Sequence, residues 1–563
     1  MTKNYLAVDI SPQQYQSWFF SDHSGRFALE GYGRQHGEAD DIQALLTALA
    51  DLEAQTGVRL VNPGGRFNFN DQVEDGLERV GLTFSAGAPI RTAVIGLSEK
   101  FSLQPLRRLV NFFNCEIVLE INLQKEPNIS AQLEKLVNTG FDLLVVAGGV
   151  NNGPERALKA VINNLRLLVQ LRGAERPQIV YAGNQALGDY AKLELEMGDD
   201  FHLAGNIQPD SQREDLSFAY PAMIEALKRI RFNECPELKR LFDHPKIDIL
   251  PTEFARARMG QWLEQTQKNG KGVLQIHLGA ESGQVIANRD GRRMAAWEHL
   301  SAAKSDIEAV SRSLETEVEP FAIAAYMLNK LVQPAFKPAT LEELSIEMAW
   351  IRYRIKKMLK RLSQLDPRFL YDENLGLRDE YEPILLSVSG LELLPSIRHF
   401  FLVLLDGIMP SGITTFVWDD LDTLPALGVL AKTDSLLATQ VVDTDIFTSL
   451  AMVINVNSPL SVGQTVLRLE VDEGEGELRQ HHQVFASELK RIEGPPGHDV
   501  RVYLSPEESS NVGMGLPGLG GWVSTPPSRI GIIIDARGRP IQLPADPIAR
   551  REAQRDWLWE LGA

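Results

Sequence analysis

Residues 272–291 read GVLQIHLGAESGQVIANRDG, and the fold of the chain turns on how this stretch is read. Residues 273–277 are apolar enough for a strand and residues 278–283 form a small-residue turn. A second strand follows at 284–287, then Asn288-Arg289-Asp290-Gly291. Asp-Gly between apolar runs is a strong hairpin signal. A strand running into Gly-Ala-x-Ser-Gly would leave backbone N–H groups free, the way small loops cradle phosphate. The opening of the chain has the same outline: YLAVDI at 5–10, a turn at 11–14, YQSWFF at 15–20, then Asp22-His23-Ser24-Gly25. Two hairpins of one kind, far apart in sequence, predict two similar halves facing across a cleft.

Other segments carry a family resemblance. They are FSAGAPIR (84–91), DLLVVAGG (142–149), VYAGN (180–184), GNIQPD (205–210), LPT (250–252), LGA (278–280), LDGIMPSGITT (405–415) and LPALG (424–428). In this order they resemble the accessory protein of adenosylcobalamin-dependent glutamate mutase, the MutL/GlmL-type family. That family lies within the actin/sugar-kinase/heat-shock ATPase superfamily, whose phosphate-1 and phosphate-2 loops have the form of the two hairpins. The resemblance implies an α/β fold: an actin-like, two-lobed ATPase fold of mixed sheets flanked by helices, followed by a C-terminal β domain. It also implies a chaperone-like accessory role toward a cobalamin-dependent mutase.

Composition bounds the rest. At 563 residues the chain exceeds a single core. Its formal net charge of −18 repels nucleic acid and anionic membrane alike. The two cysteines, Cys115 and Cys235, lie far apart in sequence and fit a reducing cytosol better than a disulfide framework or a zinc site. No apolar run approaches the ~18–20 residues that span a bilayer, and the chain opens directly on a strand. The expectation is a cytoplasmic protein with no nucleic-acid or membrane partner.

Between residues 92 and 182 strands and helices alternate at the spacing of a parallel α/β sheet. The near-continuous apolar run at 141–147 predicts a strand covered on both faces. The Gly148–Pro154 loop then falls where such sheets bind ligands, although glycine there also serves a tight turn or close helix packing. Residues 302–332 and 341–365 are helical, as one long insertion. From Asp443 onward, short β runs broken by Gly, Pro and Asn predict a separate β-rich domain, closed by a helix over 547–561. The expected domains are therefore 1–270, 271–442 and 443–563.

An active member of the superfamily needs two phosphate-enfolding turns, an acidic residue in each, and a glycine-rich turn that admits adenosine. In the first loop Asp9-Ile10 is followed by Ser11-Pro12-Gln13-Gln14, and Pro12 removes an N–H donor. In the second, His277 stands where the family has an acid, Gly279 and Ala280 remain, and Glu281 adds charge that repels a polyphosphate. In the adenosine region Ser387-Val388-Ser389-Gly390 is followed by bulky Leu391 and Glu392. Asp9, Gly148, Gly149, Gly279, Ala280 and Gly390 are the candidate residues of a vestigial nucleotide cleft. ATP and Mg²⁺ become cofactors only if these loops function, and otherwise none is expected. The resulting expectation is a non-catalytic accessory or scaffold protein with a protein partner. The alternatives are an active ATPase that reactivates a cobalamin-dependent mutase, and a self-associating actin-like filament former.

Three further signals bear on chemistry. Gly513-Met514-Gly515-Leu516-Pro517-Gly518 is a literal GxGxxG, but Pro517, Gly520 and Gly521 forbid the helix that a dinucleotide site needs, leaving a β-domain loop. Arg352, Arg354, Lys356, Lys357, Lys360 and Arg361 form a cationic helix face. It is either solvated and partly paired with Glu342, Glu343 and Glu347, or a dock for an acidic partner. His481-His482 lacks a second ligand at metal spacing, and no nucleophile elbow is present.

Overall fold

The computed structural model describes residues 3–563 apart from 12–13, 38–41, 72–74, 86, 127, 268, 315–317, 389–393, 445, 473–479, 494–498, 542–543 and 545. The chain forms two compact units, Met1–Met259 with Thr423–Thr444, and Gly260–Asp422 with Asp445–Ala563.

The first unit opens with β1 (Asn4–Ser11), β2 (Gln14–His23), β3 (Arg26–His36) and β4 (Leu77–Phe84). An insertion carries β5 (Ile90–Gly96), β6 (Cys115–Asn122), β7 (Leu143–Ala147), β8 (Gln178–Tyr181) and β9 (Phe201–Leu203), and β10 (Ile247–Pro251) returns to the first sheet. That sheet has the order β10-β4-β1-β2-β3. β1, β2 and β3 form an antiparallel meander, while β1, β4 and β10 run parallel. Helix Ile42–Thr56 buries Leu45, Leu49 and Leu52 against Leu6, Val8 and Ile10, the one-sided apolar stripe its sequence spacing requires.

The insertion is a separate, wholly parallel sheet in the order β6-β5-β7-β8-β9. All five residues of β7 are buried, in keeping with a strand covered on both faces.

The second unit repeats the first topology. β11 (Gly272–Leu278), β12 (Ser282–Arg289) and β13 (Arg292–His299) form the meander. After the two-residue strands β14 (Tyr371–Asp372) and β15 (Gly376–Leu377), β16 (Tyr381–Val388) pairs parallel to β11, and β17 (Ile413–Trp418) parallel to β16. The order β13-β12-β11-β16-β17 matches β3-β2-β1-β4-β10 strand for strand. This duplicated core is the actin-like ATPase fold, and the two expected hairpins occupy equivalent places in it.

The expected domain boundaries differ from the structure in two places. Residues 423–444 belong to the first unit. Every residue of helix Thr423–Leu430 is buried, and a Cβ on Gly81 of β4 would lie 2.5 Å from Val429 Cγ1, so Val429 packs directly onto the backbone of the strand. The chain after 445 is β-rich, but it is built onto the second sheet instead of standing apart. β18 (Thr448–Asn455) pairs with β17. β19 (Thr465–Asp472), β20 (Gln480–Phe485), β22 (Val500–Pro506) and β23 (Gly521–Thr525) form a four-stranded sheet; β21 (Leu489–Ile492) and β24 (Gly531–Asp535) extend the large one to eight. Met452, Ile454, Ile532 and Ile534 of the large sheet share one core with Leu467, Val484 and Leu504 of the small one. A shared core of this kind cannot be detached without exposing both faces.

Gly428 gives a sharp test of the close packing in the first unit. A Cβ there would lie 2.1 Å from the Ala255 carbonyl oxygen. Gly428→Ala gains about 1 kcal/mol of helix propensity but forces backbone apart in a filled core, at a cost of about 1–3 kcal/mol or more. Thermal unfolding should show a net loss of stability; a variant as stable as the parent would refute the packing.

Candidate functional site

The equivalence of the two halves fixes which residues correspond. Asp9 pairs with Gln16 across the first hairpin and with Thr83 on the parallel neighbour. His277 pairs with Gln284 and with Ser387. His277 is therefore the register equivalent of Asp9, and Ser387 of Thr83.

In the first unit Asp9 is buried, and its Oδ1 accepts hydrogen bonds from Thr83 Oγ1 at 2.6 Å and Thr252 Oγ1 at 2.7 Å. Thr252 opens helix Thr252–Gln267, directly after β10. The arrangement is a carboxylate held by two hydroxyl donors, one from each of two flanking elements. Such donors stabilise the charged form and fix the orientation of the group.

In the second unit the chemistry is permuted. Ser387 Oγ donates to Asp422 Oδ1 at 2.6 Å and lies 3.1 Å from His277 Nδ1. The single serine proton goes to the carboxylate, so Nδ1–H donates to the serine oxygen. The order is imidazole, hydroxyl, carboxylate. A hydrolase triad places the imidazole between the other two, so this set does not activate Ser387 as a nucleophile. Where the first half has the carboxylate of Asp9 the second has an imidazole, and the carboxylate in reach belongs to Asp422, a residue with φ +51° beyond β17. Nitrogen is a poor ligand for magnesium, which demands oxygen donors.

The turn between β11 and β12 is also committed. Gly279 N–H donates to the Ser282 carbonyl at 2.8 Å, and the Gly279 carbonyl accepts from Arg354 Nη2 at 3.3 Å. The expected free N–H at Gly279 is thus consumed inside the hairpin. Ala280 lies in the same turn, and the Glu281 carbonyl accepts from Leu300 N–H at 2.7 Å. In the first hairpin, Ser11 Oγ donates to the Gln14 carbonyl; Pro12 and Gln13 lie outside the described residues, as do Gly390, Leu391 and Glu392.

Gly148 and Gly149 are not on either actin-like sheet. They follow β7 at the carboxyl edge of the insertion sheet, with φ +145° and +71°. A Cβ on Gly148 would lie 2.7 Å from Leu97 Cβ. The Gly148 carbonyl accepts from Asn184 N–H, and the Gly149 carbonyl from Asn206 Nδ2 at 2.9 Å. Asn206 also donates to Asn151 Oδ1 and accepts from Gln208 N–H. The loop is knitted by its own amides, and the glycines permit that close approach. Asp9 and Gly148–Gly149 therefore sit on different sheets.

The cationic helix face is divided: Lys360 and Arg361 at its end are exposed, while its earlier residues turn to buried or half-buried partners other than Glu342, Glu343 and Glu347. On helix Leu341–Leu365, Arg352 and Arg354 are buried. Arg352 pairs with Asp406 at 3.2 Å, Arg354 with Glu298 at 2.9 Å and Lys357 with Asp306 at 3.1 Å. Glu347 is buried against Lys330 at 3.1 Å. Among the described residues no group of three His, Cys, Asp or Glu could hold a metal ion, and no helix is long and apolar enough to cross a membrane.

A family profile described as MutL protein matches residues 19–318, more than half of the chain. The chain belongs to the MutL protein family. The matched span takes in β3, β4, the insertion sheet and the β11–β12 hairpin with His277. A search of curated proteins found none that matches. Among solved structures the chain is similar to a nucleotide-free acetone carboxylase (10% identity, 86% of this chain and 81% of that one, TM-score 0.34). It is also similar to the ATP-dependent caprolactamase from Pseudomonas jessenii (11%, 85% and 81%, TM-score 0.34). A third is the activator of 2-hydroxyisocaproyl-CoA dehydratase from Clostridium difficile with bound ADPNP (8%, 78% and 97%, TM-score 0.27).

The sequence reading did not single out Thr83, Thr252 or Asp422 as partners of the loop residues. Counting register would have found Thr83 and Ser387, because each lies opposite Asp9 or His277 on the parallel neighbour. Asp422 carries no such signal; it arrives through a loop.

Proposed function

We propose that this MutL-family chain is a non-catalytic actin-like accessory protein that acts through a protein partner, an adenosylcobalamin-dependent mutase, in the cytoplasm. The observation that carries the reading is the permuted constellation of the second half. His277 replaces the acid that would hold Mg²⁺ or the attacking water, and the carboxylate linked to it through Ser387, Asp422, is engaged by that serine. The Gly279 N–H that would contact phosphate is bonded to Ser282. Family membership supports the accessory role, and the retained duplicated fold supplies a scaffold for protein contact.

A second reading, an active ATPase that reactivates the mutase, is favoured by one observation. Asp9 keeps its carboxylate and two hydroxyl donors, a well-ordered position for an acid that faces magnesium-bound phosphate. Calorimetry with ATP and Mg²⁺ separates the two. The accessory reading expects no hydrolysis and binding no tighter than about millimolar, or about −4 kcal/mol. Micromolar, magnesium-dependent binding that Asp9→Ala abolishes would establish the ATPase instead.

A further inference from the structure

The second unit contains a cavity of about 450 Å³ that takes in the glycine motif left over from the sequence. Three loops meet there: Pro410–Gly412 before β17, Asn455–Asn457 after β18, and residues 511–515 before β23. Leu375, Leu377, Arg378 and Glu380, before β16, and Arg539, after β24, complete the lining.

The glycines explain how the loops come together. Gly412 and Gly513 have φ of +67° and +85°, and a Cβ on Gly513 would lie 2.4 Å from the Gly412 Cα. Asn511 holds the loop in shape, accepting from Gly513 N–H at 2.7 Å and donating to the Gly515 carbonyl at 3.1 Å. The GxGxxG thus serves backbone-to-backbone contact, and that contact leaves a polar recess beside it.

The charges in the recess are unequal. Glu380 is neutralised by Lys271 at 3.2 Å, and Arg539 by Asp535 at 3.0 Å. Arg378 is exposed and makes no ion pair among the described residues. Asn455 is 94% buried, yet its side chain makes one long bond, 3.4 Å to the Asp535 carbonyl. Arg539 Nε, on the same lining, is buried without a hydrogen-bond partner among the described residues. A buried donor left unsatisfied costs free energy unless a ligand or water completes it.

We propose that this cavity binds a small molecule that carries an oxyanion, a phosphate or a carboxylate. Arg378 receives the anionic group, and the amides of Asn455 and Asn457 bond its polar substituents. The volume lies in the range of small-molecule sites, roughly 300–1,000 Å³. A guanidinium outside any ion pair, with Asp372 acting on it only at longer range, is the group best suited to such an anion. In a chain of net charge −18, an exposed cation on the lining of a recess that makes no ion pair among the described residues selects anions at one place while the acidic surface repels them.

The test is calorimetric titration of the full chain at low ionic strength with inorganic phosphate and, separately, with citrate. Saturable one-to-one binding of either is expected, phosphate alone or citrate alone assigning the anion class. Arg378→Gln should weaken it about tenfold, the loss of one charge-assisted contact. Because Arg378 is exposed, that variant should unfold at the same temperature as the parent. Arg312→Gln, on helix Lys304–Ser313 and outside the lining, should bind like the parent. No saturable binding of either anion, or equal binding by Arg378→Gln, would overturn the proposal.

Discussion

Arg537→Ala should cost the second unit about 3–5 kcal/mol of stability at neutral pH, the loss expected when one member of a buried charge set is removed. Arg537 is fully buried, with its guanidinium between two carboxylates: Nη1 lies 2.7 Å from Asp406 Oδ1 and Nε 2.9 Å from Asp535 Oδ1. Its plane lies over the Trp557 ring at 4.6 Å. Arg352 and Arg539 flank the set, on Asp406 and Asp535 respectively. Burial alone would raise the Asp535 carboxyl, but Arg537 and Arg539 outweigh it and hold the group well below the usual carboxylate range. A depressed folded pKa stabilises above the unfolded value and is lost as pH falls through the folded one. The penalty of Arg537→Ala should therefore be largest at pH 7 and shrink toward pH 4, where the unpaired carboxylates take up protons. Arg537→Lys should recover only part of it, because an ammonium cannot span both carboxylates as the planar fork does. Denaturation of the variants across pH reads both effects; a loss below about 1 kcal/mol at pH 7 would refute the assignment.

Glu253→Gln should act in the opposite direction, stabilising the first unit at alkaline pH. Glu253 follows Thr252, the donor to Asp9, and is 3% exposed. Its Oε1 accepts from Asn114 N–H at 3.0 Å, while Oε2 is buried without a hydrogen-bond partner. Burial pushes its carboxyl up to about 7 from 4.5, against smaller opposing effects from its backbone hydrogen bonds and from Arg231 and Arg256. For an acid raised on folding the sign is reversed. Between about pH 4.5 and 7 the folded state holds a proton that the unfolded state has released, so stability falls as pH rises. The whole shift corresponds to about 3 kcal/mol. Glutamine keeps the shape and removes the charge. The variant should match the parent near pH 4.5, exceed it at pH 8, and lose the slope between. Parallel stability curves for parent and variant over that window would show that Glu253 does not titrate there.

Both groups bear on how far the sequence could be read. The duplicated hairpins were legible because strand, small-residue turn and Asp-Gly or Ser-Gly punctuation are local signals that burial does not disguise. The parallel insertion sheet was legible for the same reason, from alternating apolar runs. β3, β4 and β13 were not picked out: RFALEGYGRQH, LERVGLTF and RRMAAWEH mix charge and glycine into strands that only sheet pairing makes regular. Of the candidate site, Asp9, His277, Gly279 and Ala280 lie on the two hairpins. Gly148 and Gly149 were grouped with them, although their sheet is a different one, and Gly390 lies outside the described residues.

The sequence by itself determined that the chain is a duplicated α/β protein of the MutL family and that an imidazole, His277, stands at the end of the first strand of its second hairpin. Those properties reside in residue identity and short spacing. Tertiary structure alone decided which groups meet: Thr83 and Thr252 on Asp9, Asp422 reaching His277 through Ser387, and Arg352 and Arg354 of the cationic helix turned inward onto Asp406 and Glu298. It also decided that residues 423–444 pack with the first unit and that the C-terminal strands extend the second sheet. The physical reason is common to all of these. A hydroxyl, a carboxylate or a glycine is locally indifferent to its partner, and the desolvation cost that selects one partner arises only when distant segments are buried together.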